Sequence, residues 1–165
     1  MSLTIRLAEP ADIPRAAETH IASCLVTYRG IAPDSVVDGP MEPSLREIWA
    51  AETLPPPDFM VVAEEAGRVV GLVVARPGPE RGDDPYVEHF HILPGRKGAG
   101  IGRRLMARLQ EELKARGATR FHLHVTEGND GAFAFYRAMG GVVGGAVEGD
   151  LFGHPVPSRV VRWTL

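Results

Sequence analysis

The stretch His91-Ile92-Leu93-Pro94-Gly95-Arg96-Lys97-Gly98-Ala99-Gly100-Ile101-Gly102-Arg103-Arg104-Leu105-Met106 decides the fold. Tyr86 to Leu93 is apolar-rich and β-prone, and Pro94 ends it. From Ile101 the apolar residues Ile101, Leu105, Met106, Leu109 and Leu113 fall on one face of a helix. Gly117, after Lys114 and Arg116, is a C-terminal stop. A strand end, a glycine-rich turn and a helix start thus follow one another, and that junction suits an anion. Gly98, Gly100 and Gly102 block nothing and permit positive φ. The first N–H groups of the helix carry the positive end of its dipole. Arg96, Lys97, Arg103 and Arg104 add charge around the turn. A phosphate or pyrophosphate is the natural guest.

Two phosphate signatures are excluded. No Lys-Ser or Lys-Thr follows the glycines, as a P-loop needs, and the third glycine of a dinucleotide fingerprint is replaced by Arg103 or Leu105 in either register. The pattern Lys97-x-x-Gly100-x-Gly102 instead resembles motif A of the GCN5-related N-acetyltransferases, which hold the pyrophosphate of acetyl-CoA on this turn. Leu123-His124-Val125, Asn129, Ala132, Phe135-Tyr136 and Met139-Gly140 are similar to motif B. His20-Ile21-Ala22-Ser23 and Tyr28-Arg29-Gly30-Ile31-Ala32-Pro33 are similar to a common subgroup, so the likeness spans nearly the whole chain. Two positions depart from the family's pattern: Lys97 stands for Gln or Arg, and Gly141 for the aromatic residue that usually follows Gly140.

Read in order, the chain predicts a strand over Leu3–Leu7, a helix carrying Ile13, Ala16, Ala17, His20, Ile21 and Cys24, and a second helix over Ser44–Ala51 with Ser44 as N-cap and Glu47 completing a capping box. Phe59–Glu65 and Arg68–Arg76 form a hairpin turning on Ala66-Gly67. Strands follow at Thr119–Thr126, Val142–Val147 and Ser158–Leu165, with a short helix after Asn129 that ends at Gly140-Gly141. Alternation of strand and helix in the middle implies parallel neighbours, and the flanking hairpins imply antiparallel edges. The expected fold is α/β: a mixed, centrally parallel twisted sheet of about seven strands flanked by helices. The element order matches what the resemblance implies, a GNAT-like acyl-CoA N-acyltransferase fold.

Composition sets outer limits. One domain over residues 1–165 is the expectation for 165 residues with 44% hydrophobic residues. A net charge of −3 argues against a general nucleic-acid binder, and the single cysteine, Cys24, excludes a disulfide framework. No run of 18 apolar residues and no signal-peptide core is present, so a cytoplasmic protein without membrane contact is expected. The last two strands offer an edge along which a homodimer can form.

Candidate site residues follow from the resemblance and from the chemistry. Acetyl-CoA is the implied cosubstrate, held by Lys97, Gly98, Ala99, Gly100, Ile101, Gly102 and Arg103 at the turn, by the main chain at Ile92 and Leu93, and by Asn129, which also suits a helix cap. Tyr136, two turns after Asn129 on one helix face, is the implied general acid toward the coenzyme sulfur. An acceptor amine with a pKa near ~10.4 must lose a proton before attack. Glu88, sharing strand parity with Tyr86, Phe90 and Ile92, and His124 on the next strand are both candidate bases, with a water wire as a third route. The apolar surroundings of Glu88 lead one to expect a raised pKa. Tyr28 and Arg29, at the break between the first two helices, are candidate acceptor contacts, in a pocket closed by loops at 28–33, 77–85 and 151–157. His89, His91, His122 and His124 lie pairwise on alternating strand positions, a spacing that also suits metal ligation, but no metal motif accompanies them and none is expected. The implied function is transfer of acetyl to a primary amine of a small molecule or peptide, directly in a ternary complex. The alternative is an acetyl-CoA-binding sensor or partner module of the same fold.

Overall fold

Alternation builds the core from the middle outward. The computed structural model describes residues 2–78 and 84–165. Its elements are β1 (Leu3–Leu7), α1 (Ile13–Thr27), α2 (Asp34–Val37), α3 (Met41–Ala51), β2 (Phe59–Glu65), β3 (Arg68–Arg76), β4 (Tyr86–Ile92), α4 (Ile101–Ala115), β5 (Arg120–Thr126), α5 (Asp130–Ala138), β6 (Val142–Leu151) and β7 (His154–Thr164). In β2, Phe59, Val61 and Ala63 face the cluster containing α4 residues Leu105 and Leu109, whereas Met60 and Val62 pack with Ala16, Ala17 and Trp49 from α1 and α3. A period of two on a strand buried on both faces requires that division. Helices α1 and α3 therefore cover one face of the sheet, and α4 and α5 the other. Among the described residues no helix is long and apolar enough to cross a membrane.

The sheet has seven strands in the order β1-β2-β3-β4-β5-β7-β6. Only β4 and β5 run parallel, and every other neighbouring pair is antiparallel. The crossover through α5 carries β6 past an empty slot, which β7 fills between β5 and β6. Sequence explains the order. β6 contains Gly144, Gly145, Gly149 and two acidic residues and is mostly exposed, as suits an edge, whereas β7 buries Val156, Ser158, Val160, Val161 and Trp163.

Two expected boundaries move. The Leu151–Pro157 stretch is not a loop: the hairpin turns on Phe152-Gly153, both at positive φ, and the residues on either side are strand. Pro155 and Pro157 are tolerated because that part of β7 extends beyond its pairing with β5. Helix α3 begins at Met41, not at Ser44, with Pro40 at its cap. Met41, Leu45 and Trp49 form one buried stripe, and Pro43 falls in the first turn, where its missing N–H removes no helical bond. Residues 79–83 of the expected 77–85 loop lie outside the described residues.

Candidate functional site

Among the described residues, strands β4 and β5 share a single residue pair, Tyr86 with His122, and then diverge. The divergence opens a cleft of about 520 Å³ that reaches through the sheet from the α4–α5 face to the α1 face. Its open end meets the glycine turn. Gly98 and Gly100 stand at φ +82° and +77°, where any side chain is strained. The first helical N–H inside α4 to find a helical partner is that of Arg104, bonded to the Gly100 carbonyl at 3.2 Å, which leaves the N–H groups of Ile101, Gly102 and Arg103 for a ligand. Gly102 is needed for a different reason. A Cβ there would stand 3.0 Å from Phe135 Cζ and 3.1 Å from Ile92 Cδ1, so its absence lets the helix end close over the cleft.

Of the four basic residues expected around the turn, two face the cleft. Lys97 and Arg103 line the cleft. Arg96 is turned to Glu65 (2.7 Å) and Arg104 donates to the Leu3 carbonyl (3.1 Å), so both act as struts to the first strands. Ile101 is buried in the core and Ala99 is exposed in the turn, and neither side chain lines the cleft.

Of the two expected main-chain donors, Ile92 and Leu93, the second is used within the sheet. The Leu93 N–H bonds the Val70 carbonyl at 2.9 Å, so it is not available to a ligand. Residues alternate in an antiparallel ladder, so with Leu93 bonded to β3, the N–H groups of Ile92 and Phe90 point the other way, to the side from which β5 has withdrawn. Ile92 therefore presents its N–H to the cleft, Phe90 does the same two residues earlier, and Leu93 does not.

Asn129 caps α5, accepting the Ala132 N–H at 3.3 Å, and also borders the cleft. Tyr136 follows two turns later, buried but reaching the cleft. Burial, with a smaller contribution from Tyr28, raises its pKa well above the usual phenol value, so the ring keeps its proton and can donate it. Phe90, Phe135 and Trp163 hold the ring at centroid distances of 5.9, 5.3 and 5.6 Å. Trp163 also settles the glycine at 141: a Cβ there would lie 2.7 Å from Trp163 Cζ2. The aromatic residue missing after Gly140 is supplied from β7, where Trp163 stacks on Phe121 at 4.7 Å and donates to the Met139 carbonyl at 3.2 Å.

The α1 side of the cleft is built from side chains. Tyr28 lines it, with its phenol pushed up to about 12, mainly by burial. Arg29 does not line it: it is exposed and pairs with Asp38 (2.7 Å) and Asp34 (3.3 Å) over a separate surface hollow, because a carboxylate pair on the following helix captures it. His124 and Glu88 both border the cleft. Glu88 is the extra residue of a β-bulge, since His89 opposes Val74 while Val87 opposes Ala75. The bulge breaks the expected parity: Glu88 turns toward the α1 face with His89, away from Phe90 and Ile92. Its surroundings are ionic, not apolar. Arg76 Nε donates to its carboxylate at 2.7 Å, and the same guanidinium binds Glu52 and Asp58 (2.8 Å).

The histidines regroup as well. His122 and His124 stay together beside Tyr86, at ring distances of 5.3 and 5.2 Å from it. His89 and His91 meet His20 from α1 instead. Ring nitrogens of these three lie within 4.8 Å of one another. Two imidazoles on one tetrahedral metal, with bonds near 2.0–2.1 Å, have centroids roughly 5 Å apart; His20 and His91 are closer, at 4.0 Å with the rings tilted by 35°. Trp49 Nε1 donates to His20 Nδ1 at 2.9 Å, and indole can only donate, so neutral His20 carries its proton on Nε2 and offers no lone pair there. Burial is the main cause that lowers all three imidazoles, His89 to about 4 and His91 to about 3, so they are neutral. His91 lines the cleft with Ser23, whose Oγ lies 3.1 Å from its Nδ1. Sequence spacing showed the 89/91 pair; its partners in α1 and α3 carry no sequence signal.

Comparison with known proteins agrees with this geometry. The model of the acetyltransferase (GNAT) family matches residues 25–140. A curated relative, an acetyltransferase of Pectobacterium atrosepticum, is 36% identical over 83 residues, which is 50% of this chain and 57% of that protein. An acetyltransferase of Photorhabdus laumondii is 39% identical over 74 residues, 45% of this chain and 50% of that one. The chain thus spans little more than half the length of the curated relatives it matches. Among solved structures, the PaiA N-acetyltransferase of Thermoplasma acidophilum in complex with coenzyme A superposes with a TM-score of 0.73 at 19% identity, over 96% of this chain and 98% of that one. YncA of Salmonella typhimurium with acetyl-CoA gives 0.70 at 21%, over 100% and 95%. These two carry the fold alone, while the family model matches well over half of the residues, and on that ground the chain belongs to the GNAT acetyltransferase family.

Proposed function

We propose that the chain is an acetyl-CoA-dependent N-acetyltransferase that moves the acetyl group to a primary amine of a small molecule or peptide, directly in a ternary complex. One observation carries the reading: a single cleft joins a helix start with free N–H groups, Lys97 and Arg103 to a buried, protonated Tyr136. The diphosphate sits on the turn. The N–H groups of Phe90 and Ile92 receive the pantetheine amides and the acetyl carbonyl, in the manner of an added strand. The amine enters from the α1 face and loses its proton to Glu88, to His124 or through water. Its lone pair forms the new C–N bond as the C–S bond breaks, and Tyr136 protonates the departing sulfur. Coenzyme A and acetyl-CoA in similarly shaped proteins support the cosubstrate.

The test is thiol release from acetyl-CoA against a panel of amino acids, polyamines, amino sugars and peptide N-termini, paired with calorimetry of acetyl-CoA alone. Heat of binding with amine-dependent release is expected. Binding without release from any amine returns the chain to the sensor reading, and no heat removes both.

A further inference from the structure

The two faces of the cleft differ in polarity, and among the described residues those beyond the Tyr136 phenol on the α4–α5 face are apolar. Contacts order the residues along it. Gly102 at the turn adjoins Phe135 and Ile92; Phe135 adjoins Phe90 at 5.6 Å; Phe90 adjoins Tyr136 at 5.9 Å. Beyond them stand Val87 and Leu123, the neighbours of the last paired residues Tyr86 and His122. Both are buried, 3% and 2% exposed, yet both still contribute surface to the cleft. Met139, at the end of α5, lines it too, with a thioether that adapts to what it touches. A coenzyme arm that enters at the turn and brings its sulfur to Tyr136 therefore aims its acyl group at an aliphatic end wall.

We propose that this apolar end is an acyl-chain pocket, so that the chain binds and transfers propionyl and butyryl groups at least as well as acetyl. The inference rests on the reading that the cleft holds a coenzyme A thioester. The chemistry is unchanged: the amine nitrogen forms its bond to the acyl carbon, the C–S bond breaks, sulfur keeps the electron pair and takes a proton, and the amine loses one. Only the wall behind the carbonyl selects the chain. Apolar space of this kind gains nothing from water, whereas each methylene buried against it improves binding by about fourfold.

Calorimetry with coenzyme A, acetyl-CoA, propionyl-CoA and butyryl-CoA tests this without an identified amine. The expected result is a dissociation constant that falls about fourfold with each methylene from acetyl to butyryl. If acetyl-CoA binds and propionyl-CoA is less than twofold tighter, or weaker, the acyl pocket is overturned while the acetyltransferase reading stands. If neither coenzyme A nor acetyl-CoA binds, both are overturned. Leu123→Phe fills the end wall and should flatten the series. Met139→Phe narrows the same space from a partly exposed position and is the second variant if Leu123→Phe does not fold.

Discussion

The two sides of the cleft are made of different material. The side under α4 and α5 combines backbone groups (helix N–H groups, two strand N–H groups and glycines without side chains) with Lys97, Arg103, one phenol and an apolar wall. The side under α1 is side chains brought from α1, the α1–α2 break, β4 and β5: Ser23, Tyr28, Glu88, His91 and His124. On the proposed reading, the backbone groups at the turn recognise what every coenzyme A thioester shares. A side-chain site can change acceptor by substitution while the sheet stays intact. The comparison predicts that substitutions on the first side damage catalysis or cofactor binding whatever the amine, and those on the second act through the acceptor.

The largest effect is expected at Tyr136. Tyr136→Phe keeps the ring among Phe90, Phe135 and Trp163 and removes only the acid, so kcat should fall by about 10²- to 10³-fold with the coenzyme A dissociation constant changed less than about twofold. A variant of near-wild-type kcat would assign sulfur protonation to solvent and leave the α4–α5 side with binding alone.

The second effect belongs to the α1 side and is one of stability. His20, His89 and His91 are held below the ordinary imidazole value in the folded state, so as pH falls through about 6.5 the unfolded chain takes up protons that the folded chain refuses until about 4 and 3 for the two strand residues. Stability is complete above that range and declines below it as the unfolded chain takes up protons. Urea midpoints at pH 7, 6 and 5 should therefore fall steeply. His91→Gln, which puts a neutral amide in the cluster, should give a shallower slope, and an unchanged slope would mean that His91 is already charged in the fold.

What the sequence made legible follows the same division. Periodicity placed β1, β2 and β3 to the residue, and it placed α4 within one residue at its end, because local alternation and glycine stops determine them. The turn was legible because three glycines and a helix start are adjacent in sequence. The α1 side was not, because its partners meet only in three dimensions: Trp49 bonds His20 across 29 positions, and Ser23 meets His91 across 68. The bulge at Glu88 is a second source of loss. One inserted residue reverses parity, and no residue type announces it. Gly141 shows the converse: a visible departure from the pattern, made good by Trp163 on a strand more than twenty residues away.

A smaller effect is expected at the turn. Lys97 and Arg103 are exposed, so solvent screens their charge, and Lys97→Ala should weaken coenzyme A by about fivefold, near 1 kcal/mol, and more at low salt than at high. A salt-independent loss would point to packing instead of diphosphate contact. Arg96→Ala provides the contrast: its guanidinium serves Glu65, so it should change the melting temperature while leaving the coenzyme's salt dependence alone.

The smallest effect separates neighbours. Tyr28 and Arg29 are adjacent at the same helix break, and a reading by position gives them one role. The geometry gives them two. Tyr28 turns inward and lines the cleft, whereas Arg29 is held outward by Asp34 and Asp38, an exposed pair worth little to stability. Arg29→Ala should therefore leave KM for both substrates within about twofold and the melting temperature nearly unchanged. Tyr28→Phe, which removes only the hydroxyl bonded to Thr126 at the cleft wall, should raise KM for the amine several-fold and leave that for acetyl-CoA in place. Equal effects of the two substitutions on the amine KM would mean that the acceptor reaches past the cleft mouth to the α2 surface, and the boundary between the two sides would then have to be drawn further out.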